Sequence, residues 1–285
     1  RLMFSGDIGR PLMPIVRDPV LPHEVDYLIL ESTYGDDEHD SPVRAYDSLQ
    51  DVISRTVNRG GKVICPAFAV GRTQALVYYI HQMMDNGDIP KVPVFVDSPL
   101  AVNVTDIFRD HPECFDAEAT EFLHEDPHGS ALGFDHLTYT RSVEESKAIN
   151  DIDGPTIIIS ASGMAEVGRI LHHLRNNIHD ERNTVLITSW MAPHTLGRRL
   201  AEGVKDIKIF GESHRVKSEV ASISGLSAHA DQPFLVEYGA ASKGTLKGVF
   251  LVHGEPDAAM ALKGKLTEAG VESVHYPEMG EEVEL

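Results

Sequence analysis

Two histidines, His229 and His253, occupy the same kind of position in the sequence. His229 lies in a Ser-Ala-His-Ala turn after the short apolar run Val220–Ile223, and His253 is the first polar residue after the apolar run Val249–Val252. A predicted helix follows each of them. Because α/β proteins build sites at the carboxyl ends of neighbouring strands, this placement predicts that the two imidazoles lie close together. One such histidine alone would more often hydrogen-bond a loop; two in the same position favour a site.

Two carboxylates follow predicted strands in the same way. Asp7 lies in a glycine-containing turn after the first predicted strand, and Glu31 follows the buried apolar run Val25–Leu30. An aspartate beside glycine is often only a turn former, because it tolerates unusual backbone angles. Glu31 could likewise hydrogen-bond the loop after its strand. The other interpretation is that both belong to the site of the histidines, since carboxylates and imidazoles together bind metals and transfer protons.

Repeated βα units separate the two carboxylates from the two histidines. Each predicted strand is a short apolar run followed by a helix, which indicates a parallel sheet covered on both faces. The predicted strands are 62–65, 92–96, 156–159 and 185–188, and the predicted helices are 73–84, one that ends near 108, 165–175 and 196–201.

The loops after these strands should line one edge of the sheet. Small residues, the N–H groups at helix N-termini and a few arginines make such an edge suitable for phosphate groups. The candidate substrate-binding residues on these loops and the helices after them are Arg72, Ser98, Ser162, Gly163, Arg169, His173 and Arg198.

The overall charge is acidic, with 25 Lys and Arg against 44 Asp and Glu and a formal net charge of −19. This balance argues against broad electrostatic affinity for nucleic acid or an anionic membrane, but it leaves room for a local site that uses divalent metal. The two cysteines, Cys65 and Cys114, form neither a disulfide framework nor a metal-ligand spacing, which favours a reducing cytoplasm. No apolar run approaches the ~20 residues of a membrane span.

Taken in order, these segments resemble the β-CASP branch of the metallo-β-lactamase superfamily. That branch contains nucleic-acid-processing enzymes, including bacterial ribonucleases and the endonuclease that cleaves messenger-RNA precursors. The matches span almost the whole chain, and their order makes the resemblance more specific than any single motif. The matching stretches are Phe-Ser-Gly-Asp-Ile-Gly (4–9), Glu-Ser-Thr-Tyr-Gly (31–35), Pro-Ala-Phe-Ala-Val-Gly-Arg (66–72), Ser-Gly-Met-Ala-Glu-Val-Gly-Arg (162–169), Ser-Ala-His-Ala-Asp (227–231) and Leu-Val-His-Gly-Glu (251–255).

The resemblance implies a role for each of the four ionisable residues. Asp7 would bridge two zinc ions and His253 would ligate one of them, which suits a carboxylate and an imidazole respectively. His229, held by Glu31, would give a proton to the departing 3′ oxygen. Zinc would neutralise charge on the phosphate during in-line displacement. The RNA would then lie between two domains, with its phosphates on the arginine-containing loops.

The implied fold class is α/β, with the C-terminal part of a metallo-β-lactamase αββα fold and an inserted parallel-sheet α/β domain. We expect lactamase-like segments at 1–35 and 213–285 and the β-CASP domain at 36–212. The main metal motif of the family, His-x-His-x-Asp-His, does not occur here although fifteen histidines are present. In the family this motif precedes the segment that matches Asp7, so we expect this chain to be the C-terminal portion of a longer protein.

The resemblance predicts a cytoplasmic zinc-dependent ribonuclease that hydrolyses RNA phosphodiester bonds. Two alternatives stay open: a catalytically inactive RNA-binding or scaffold protein of the same branch, and a hydrolase of DNA or of a small phosphodiester. The presence of Asp7, Glu31, His229 and His253 together counts against the inactive alternative, because loss of catalysis should remove these residues first.

The absent histidine motif yields a prediction for these 285 residues by themselves. Zinc affinity depends on the number and geometry of ligands, and most of the ligands that the family uses are missing here. We therefore expect little or no bound zinc and no nuclease activity from this chain alone. Metal analysis of the purified chain measures this directly, and tightly held zinc at one ion per chain or more would contradict an incomplete site.

Overall fold

The computed structural model describes residues 1–125 and 130–285, which form two compact units. The first consists of Arg1–Met13, Arg17–His39 and Ala228–Leu285, and the second of Pro14–Val16 and Asp40–Ser227. The domain boundaries expected from the sequence, at 35 and 212, stay a prediction of where the family domains begin and end. No helix in the described ranges has the length and apolar character that crossing a membrane requires.

Strands and helices alternate along most of the chain, as expected for an α/β protein. In chain order the strands are β1 (Leu2–Phe4), β2 (Tyr27–Glu31), β3 (Lys62–Pro66), β4 (Val94–Val96), β5 (Leu137–Tyr139), β6 (Thr156–Ser160), β7 (Thr184–Ile187), β8 (Asp206–Ile209), β9 (Glu212–Arg215), β10 (Glu219–Ser222), β11 (Gly248–Val252) and β12 (Val274–His275). The helices are α1 (Pro42–Asn58), α2 (Arg72–Asp85), α3 (Pro99–Asp110), α4 (Ala117–Glu125), α5 (Val143–Ala148), α6 (Ile170–Asn177), α7 (Leu196–Ala201), α8 (Gln232–Ala240) and α9 (Pro256–Glu268).

The first unit is built on a four-stranded parallel sheet with the order β1-β2-β11-β12. In the β2–β11 pair, Glu31 lies opposite Val252, the residue before His253. Burial of apolar side chains holds α8 and α9 on this sheet. The core residues that they share with β2 and β11 include Leu28, Leu30, Phe234, Leu235, Val249, Leu251, Leu262 and Leu266.

The second unit contains a six-stranded sheet with the order β10-β7-β3-β6-β4-β5, in which every pair is parallel. Side chains of a strand point alternately to its two faces. In β3, Val63 and Cys65 pack in one hydrophobic cluster with residues of α1 and α2, whereas Ile64 packs in another with residues of α6 and α7. The sheet is therefore covered on both faces, which confirms the parallel α/β architecture predicted from the sequence.

The local predictions hold best where a cap or a turn residue marks the end of an element. The helix predicted at 196–201 is α7, which Thr195 caps, and a capping box formed by Ser142 and Glu145 starts α5. The helix predicted from Ala165 begins only at Ile170. Ala165 and Gly168 have φ angles of +57° and +88°, which no right-handed helix accommodates. Residues 161–169 form a loop instead.

The topology corrects the placement of one predicted strand and adds a hairpin. The strand predicted at Val220–Ile223 is β10, which pairs with β7 in the six-stranded sheet and not with β11. The expectation that His229 and His253 follow neighbouring strands is therefore wrong. The antiparallel hairpin β8–β9 was not predicted. Its two-residue turn, Phe210-Gly211, has positive φ at both positions, as tight hairpins require.

Gly35 yields a prediction about the packing beneath β2 and its loop. A Cβ at Gly35 would lie 2.3 Å from the carbonyl oxygen of Ala258 and 2.8 Å from Cβ of Leu262, both in α9. We expect Gly35→Ala to lower the free energy of unfolding by about 1–3 kcal/mol, as overpacking does. Chemical denaturation measures the change.

Gly264 in the same helix supplies the control. A Cβ there meets nothing within 4 Å. Gly264→Ala should raise the free energy of unfolding by about 0.5–1 kcal/mol, because alanine favours a helix over glycine. If the two substitutions shift stability equally, the close contact at Gly35 is not what limits that position.

Candidate metal centre

Glu31 is a buried carboxylate at the end of β2, only 1% exposed. One of its oxygens, Oε1, accepts a hydrogen bond from the backbone N–H of Ile8. The other, Oε2, accepts from Oγ1 of Thr33 at 2.6 Å and lies 2.9 Å from Nδ1 of His229. A buried charge is tolerated only when such partners replace its water. Glu31 therefore joins three segments of the first unit: the turn after β1, its own loop and the segment before α8.

His229 is positioned by the turn after β1 and by its own carboxylate partner. An isolated antiparallel bridge pairs His229 with Gly9, and the N–H of Ala230 donates to the carbonyl of Ile8 at 2.8 Å. Asp231 then caps α8 through the N–H of Phe234. Because an ionised carboxylate only accepts hydrogen bonds, the bond to Glu31 assigns a proton to Nδ1. Nε2, on the opposite side of the ring, is then the atom for chemistry.

His253 and Asp7 form the exposed side of the cluster. His253 directly follows β11 with a φ of +51°, a conformation that a non-glycine residue adopts at a cost. Thr33 holds it there, since Oγ1 lies 3.0 Å from the carbonyl oxygen of His253 and 3.2 Å from its Nδ1. Oδ1 of Asp7 lies 3.3 Å from the same Nδ1. Thr33 thus connects His253 to Glu31.

The structure brings together all four residues predicted from the sequence. Potential ligand atoms of Asp7, His229 and His253 lie within 4.8 Å of one another. The two imidazole rings are 5.9 Å apart and tilted by 27°. One carboxylate and two imidazoles are donors that zinc accepts, so the cluster fits a zinc ion. This grouping also includes His229, whose predicted place was outside the ligand set.

A third histidine near the cluster, His39, was missed from the sequence because it follows no strand end. Its buried ring meets Tyr34 edge-on at 4.2 Å, and the Tyr34 ring lies 6.3 Å from that of His229. Neither ring nitrogen of His39 has a hydrogen-bond partner among the described residues. Burial, with a contribution from Arg10, lowers the pKa of His39, which favours the neutral imidazole that packs against Tyr34.

In the second unit, Asp97 is a buried carboxylate that the sequence did not single out. It follows β4 and is fully buried. Its carboxylate accepts from Arg169 at 2.7 Å and Ser146 at 2.6 Å, also bonds Thr140, and lies 2.7 Å from Nε2 of His173. Burial opposes its ionisation, but these partners outweigh that effect and hold the pKa of the Asp97 carboxyl below its ordinary value. Two predicted substrate-binding residues, Arg169 and His173, therefore share one buried anion.

The other predicted rim residues have separate environments. Arg198 pairs with Glu202 at 2.7 Å on the surface of α7. Ser98 caps α3, and the Ser162 hydroxyl accepts from the N–H groups of Glu166 and Val167. Gly163 lies against the ring of Phe68, and Arg72 is buried at the start of α2. These residues lie on the predicted loops or the helices after them, and their contact with a substrate stays a prediction.

Two family descriptions together match about two thirds of the chain. Residues 73–200 match the Beta-Casp domain, and residues 213–277 match the Zn-dependent metallo-hydrolase RNA specificity domain. The chain belongs to the β-CASP branch of the metallo-β-lactamase superfamily. The resemblance drawn from the ordered motifs is thereby confirmed, and zinc is the metal that the family description names.

Relatives of this β-CASP chain include proteins named for RNA cleavage and for transcription termination. It is 32% identical to a ribonuclease of Thermus thermophilus over 99% of its own residues and 63% of the relative. An RNase J-like protein of Methanocaldococcus jannaschii is 32% identical over 84% of the chain and 54% of that protein. The transcription termination factor FttA of the same organism is 30% identical over 89% of the chain and 41% of the factor. The chain thus spans about two fifths to three fifths of these relatives.

The Asp97 network yields a prediction for the β-CASP domain. Asp97→Asn should lower the free energy of unfolding by about 3 kcal/mol near neutral pH, because it removes one side of a buried ion pair. A carboxyl whose pKa is depressed on folding stabilises the protein above its ordinary pKa, near 4, and loses this effect as the pH falls below that value. The difference in the free energy of unfolding between wild type and Asp97→Asn should therefore become smaller at acidic pH.

Asp106 provides a matched control, since it pairs with Arg109 and Arg141 in an exposed position. Asp106→Asn should change stability by no more than about 1 kcal/mol. Thermal or urea unfolding of both variants between pH 3 and pH 7 measures the contrast. Equally small losses of stability in the two variants would mean that Asp97 does not organise its loops.

Proposed function

We propose that the full-length protein is a zinc-dependent ribonuclease that hydrolyses RNA phosphodiester bonds with two zinc ions. The observation that carries the proposal is the 2.9 Å contact between His229 and the buried Glu31, beside Asp7 and His253 in one cluster. The family description, which names zinc dependence and RNA specificity, supports it, as do the relatives named ribonuclease. We propose 36–212 as the β-CASP domain and 1–35 with 213–285 as the lactamase-like part.

Asp7 and His253 are the proposed metal ligands of this chain. Both are exposed, so their donor atoms are accessible to a metal. The carboxylate of Asp7 has two oxygens and can serve two cations, whereas His253 offers one nitrogen to one cation. When bound, zinc supplies Lewis-acid stabilisation of the charge that develops on the phosphate. The RNA phosphate would therefore lie over Asp7 and His253.

His229 is the proposed proton donor. The buried Glu31 carboxylate orients its ring and stabilises the positive charge of the doubly protonated imidazole. A ring in that state cannot ligate metal, but its Nε2–H can donate a proton to the departing 3′ oxygen. A carboxylate behind a histidine is also a common arrangement for a metal ligand, so His229 as a third ligand is the rival that an experiment must separate.

The proposed cytoplasmic location is supported only by the cysteines. Cys65 is buried and Cys114 is exposed, and neither forms a disulfide in the described structure. Burial raises the pKa of Cys65 to about 12, so its thiol is unreactive. Unpaired cysteines are typical of a reducing compartment.

Alanine substitution of the two histidines in the full-length protein should affect zinc content and activity differently. His253→Ala should lower zinc content and activity together. His229→Ala should keep its zinc and lose turnover by ~10²–10⁴-fold, the usual contribution of a general acid. Glu31→Gln should resemble a milder form of His229→Ala, because it removes the partner of the acid and keeps the acid. Zinc per chain and the single-turnover rate on RNA are measured for each variant.

Leaving-group chemistry supplies the control. With a phosphodiester whose leaving group departs without a proton, the cleavage rate of His229→Ala should return towards that of wild type. The rate of His253→Ala should stay low, because only His229→Ala lacks proton donation. Loss of zinc from His229→Ala as complete as that from His253→Ala would place His229 among the ligands. Absence of RNA cleavage by wild-type, zinc-loaded protein would refute the ribonuclease itself.

A further inference from the structure

The hydroxyl of Thr33 lies between the buried carboxylate and the exposed imidazole of the cluster. Its Oγ1 is 2.6 Å from Oε2 of Glu31, 3.0 Å from the carbonyl oxygen of His253 and 3.2 Å from Nδ1 of His253. A hydroxyl has one proton to donate and two lone pairs that accept. The three contacts therefore compete for a single proton.

The geometry assigns this proton to Glu31. The carboxylate of Glu31 and the carbonyl of His253 only accept hydrogen bonds, so neither oxygen can supply a proton of its own. An O–H···O⁻ bond to an ionised carboxylate is short, about 2.5–2.7 Å, and the contact between Thr33 and Glu31 lies in this range. If the hydroxyl proton pointed at Nδ1 of His253, two oxygens with lone pairs would face each other at 2.6 Å with no proton between them.

The hydrogen bond between Thr33 and His253 must then run in the other direction. Oγ1 of Thr33 accepts from Nδ1, so Nδ1 carries the ring proton. The other group beside this nitrogen is also an acceptor, since Oδ1 of Asp7 lies 3.3 Å from it. In a neutral imidazole one nitrogen bears the proton and the other a free lone pair. The free lone pair of His253 is therefore on Nε2.

We propose that Thr33 is a positioning residue that holds His253 in the Nδ1–H tautomer and thereby presents Nε2 to zinc. This inference rests on the proposed role of His253 as a metal ligand and adds the residue that selects the ligating atom. A hydrogen bond at one ring nitrogen fixes the tautomer and the orientation of a ligating histidine. Here the bond comes from a hydroxyl that is itself oriented by a buried carboxylate.

The same carboxylate oxygen serves the second histidine of the cluster. Oε2 of Glu31 lies 2.9 Å from Nδ1 of His229, which it contacts directly, whereas it reaches His253 through Thr33. The two rings are 5.9 Å apart, and both keep Nε2 for chemistry. One buried oxygen thus sets the position of the ring proton in both histidines.

Histidine-ring ¹⁵N NMR of the metal-free, full-length protein measures the tautomer directly at a pH where the ring is neutral. The signals of His253 are assigned by their loss in His253→Gln, and wild type should show the Nδ1–H form. Thr33→Val keeps the shape of the side chain and removes the hydroxyl. The ratio of Nδ1–H to Nε2–H should then fall about fivefold, as the loss of one hydrogen bond predicts. Thr33→Ser, which keeps the hydroxyl, should resemble wild type.

Zinc affinity, measured by competition with a chelator, supplies a second readout that does not depend on activity. Thr33→Val should raise the dissociation constant for zinc about 10–100-fold, as loss of a hydrogen-bond partner of a ligand does, and Thr33→Ser should stay close to wild type. Thr267 in α9 offers a matched control, because it is exposed and its hydroxyl bonds the carbonyl of Lys263 within its own helix. Thr267→Val should leave the zinc affinity and the His253 tautomer unchanged.

Three results would overturn the proposal. The first is an Nε2–H tautomer of His253 in wild type. The second is an equal loss of zinc affinity in Thr33→Ser and Thr33→Val, which would show that the hydroxyl is not the determinant. The third is a lowered melting temperature of Thr33→Val with unchanged tautomer and zinc affinity, which would leave Thr33 a structural role only. Failure of zinc-loaded wild type to cleave RNA, with the tautomer shifting as expected, would instead refute the ribonuclease function.

Discussion

The centre depends on the burial of one carboxylate, Glu31. A charge removed from water is stable only if its oxygens are fully engaged, and here the partners are Ile8, Thr33 and His229. Each partner in turn positions a candidate metal or acid group: Ile8 is next to Asp7, and Thr33 bonds His253. The exposed side chains of Asp7 and His253 and the half-buried ring of His229 are thus positioned by the buried Glu31 and the groups bonded to it. Such preorganisation lets side chains on flexible turns act in a fixed geometry.

A second buried carboxylate, Asp97, plays the corresponding part in the β-CASP domain. It joins the loops after β4, β5 and β6 through Arg169, Thr140 and its other partners. The arginine predicted to bind phosphate is therefore also a structural cation. Arg has five N–H donors, so an arginine that pairs with Asp97 keeps further N–H groups that can donate to another acceptor. A protein with a net charge of −19 can then present a local cationic group without a broad basic surface.

The sequence predicted the candidate site best where its residues lie at strand ends, and it predicted the family from the order of the motifs along the chain. Asp7, Glu31 and His253 lie at or after the ends of strands of the first unit, and the order of the motifs identified the family. His229 was placed near His253 for the wrong reason, because β10 belongs to the other sheet and Gly9 holds His229 instead. Pairing partners between distant strands cannot be read from periodicity within one strand.

Asp97 was overlooked because its local signal, an aspartate before Ser-Pro, reads as an ordinary helix start. Its partners Thr140, Ser146, Arg169 and His173 lie 43 to 76 residues away. Such a network arises from tertiary packing alone. Residues 165–169 were predicted as the start of a helix for a related reason: the sequence alone does not show that the backbone angles of Ala165 and Gly168 exclude one.

The pairing of β2 with β11 has a consequence for the order of assembly. The hydroxyl of Ser32 donates to the carbonyl of Val252, 220 residues further along the chain. Closing so long a loop is entropically expensive, and the compact second unit shortens it if it folds first. During synthesis, the ribosome releases Asp7 and Glu31 long before either imidazole. The cluster of Asp7, Glu31, His229 and His253 is therefore complete only after the whole second unit and β11 have been synthesised.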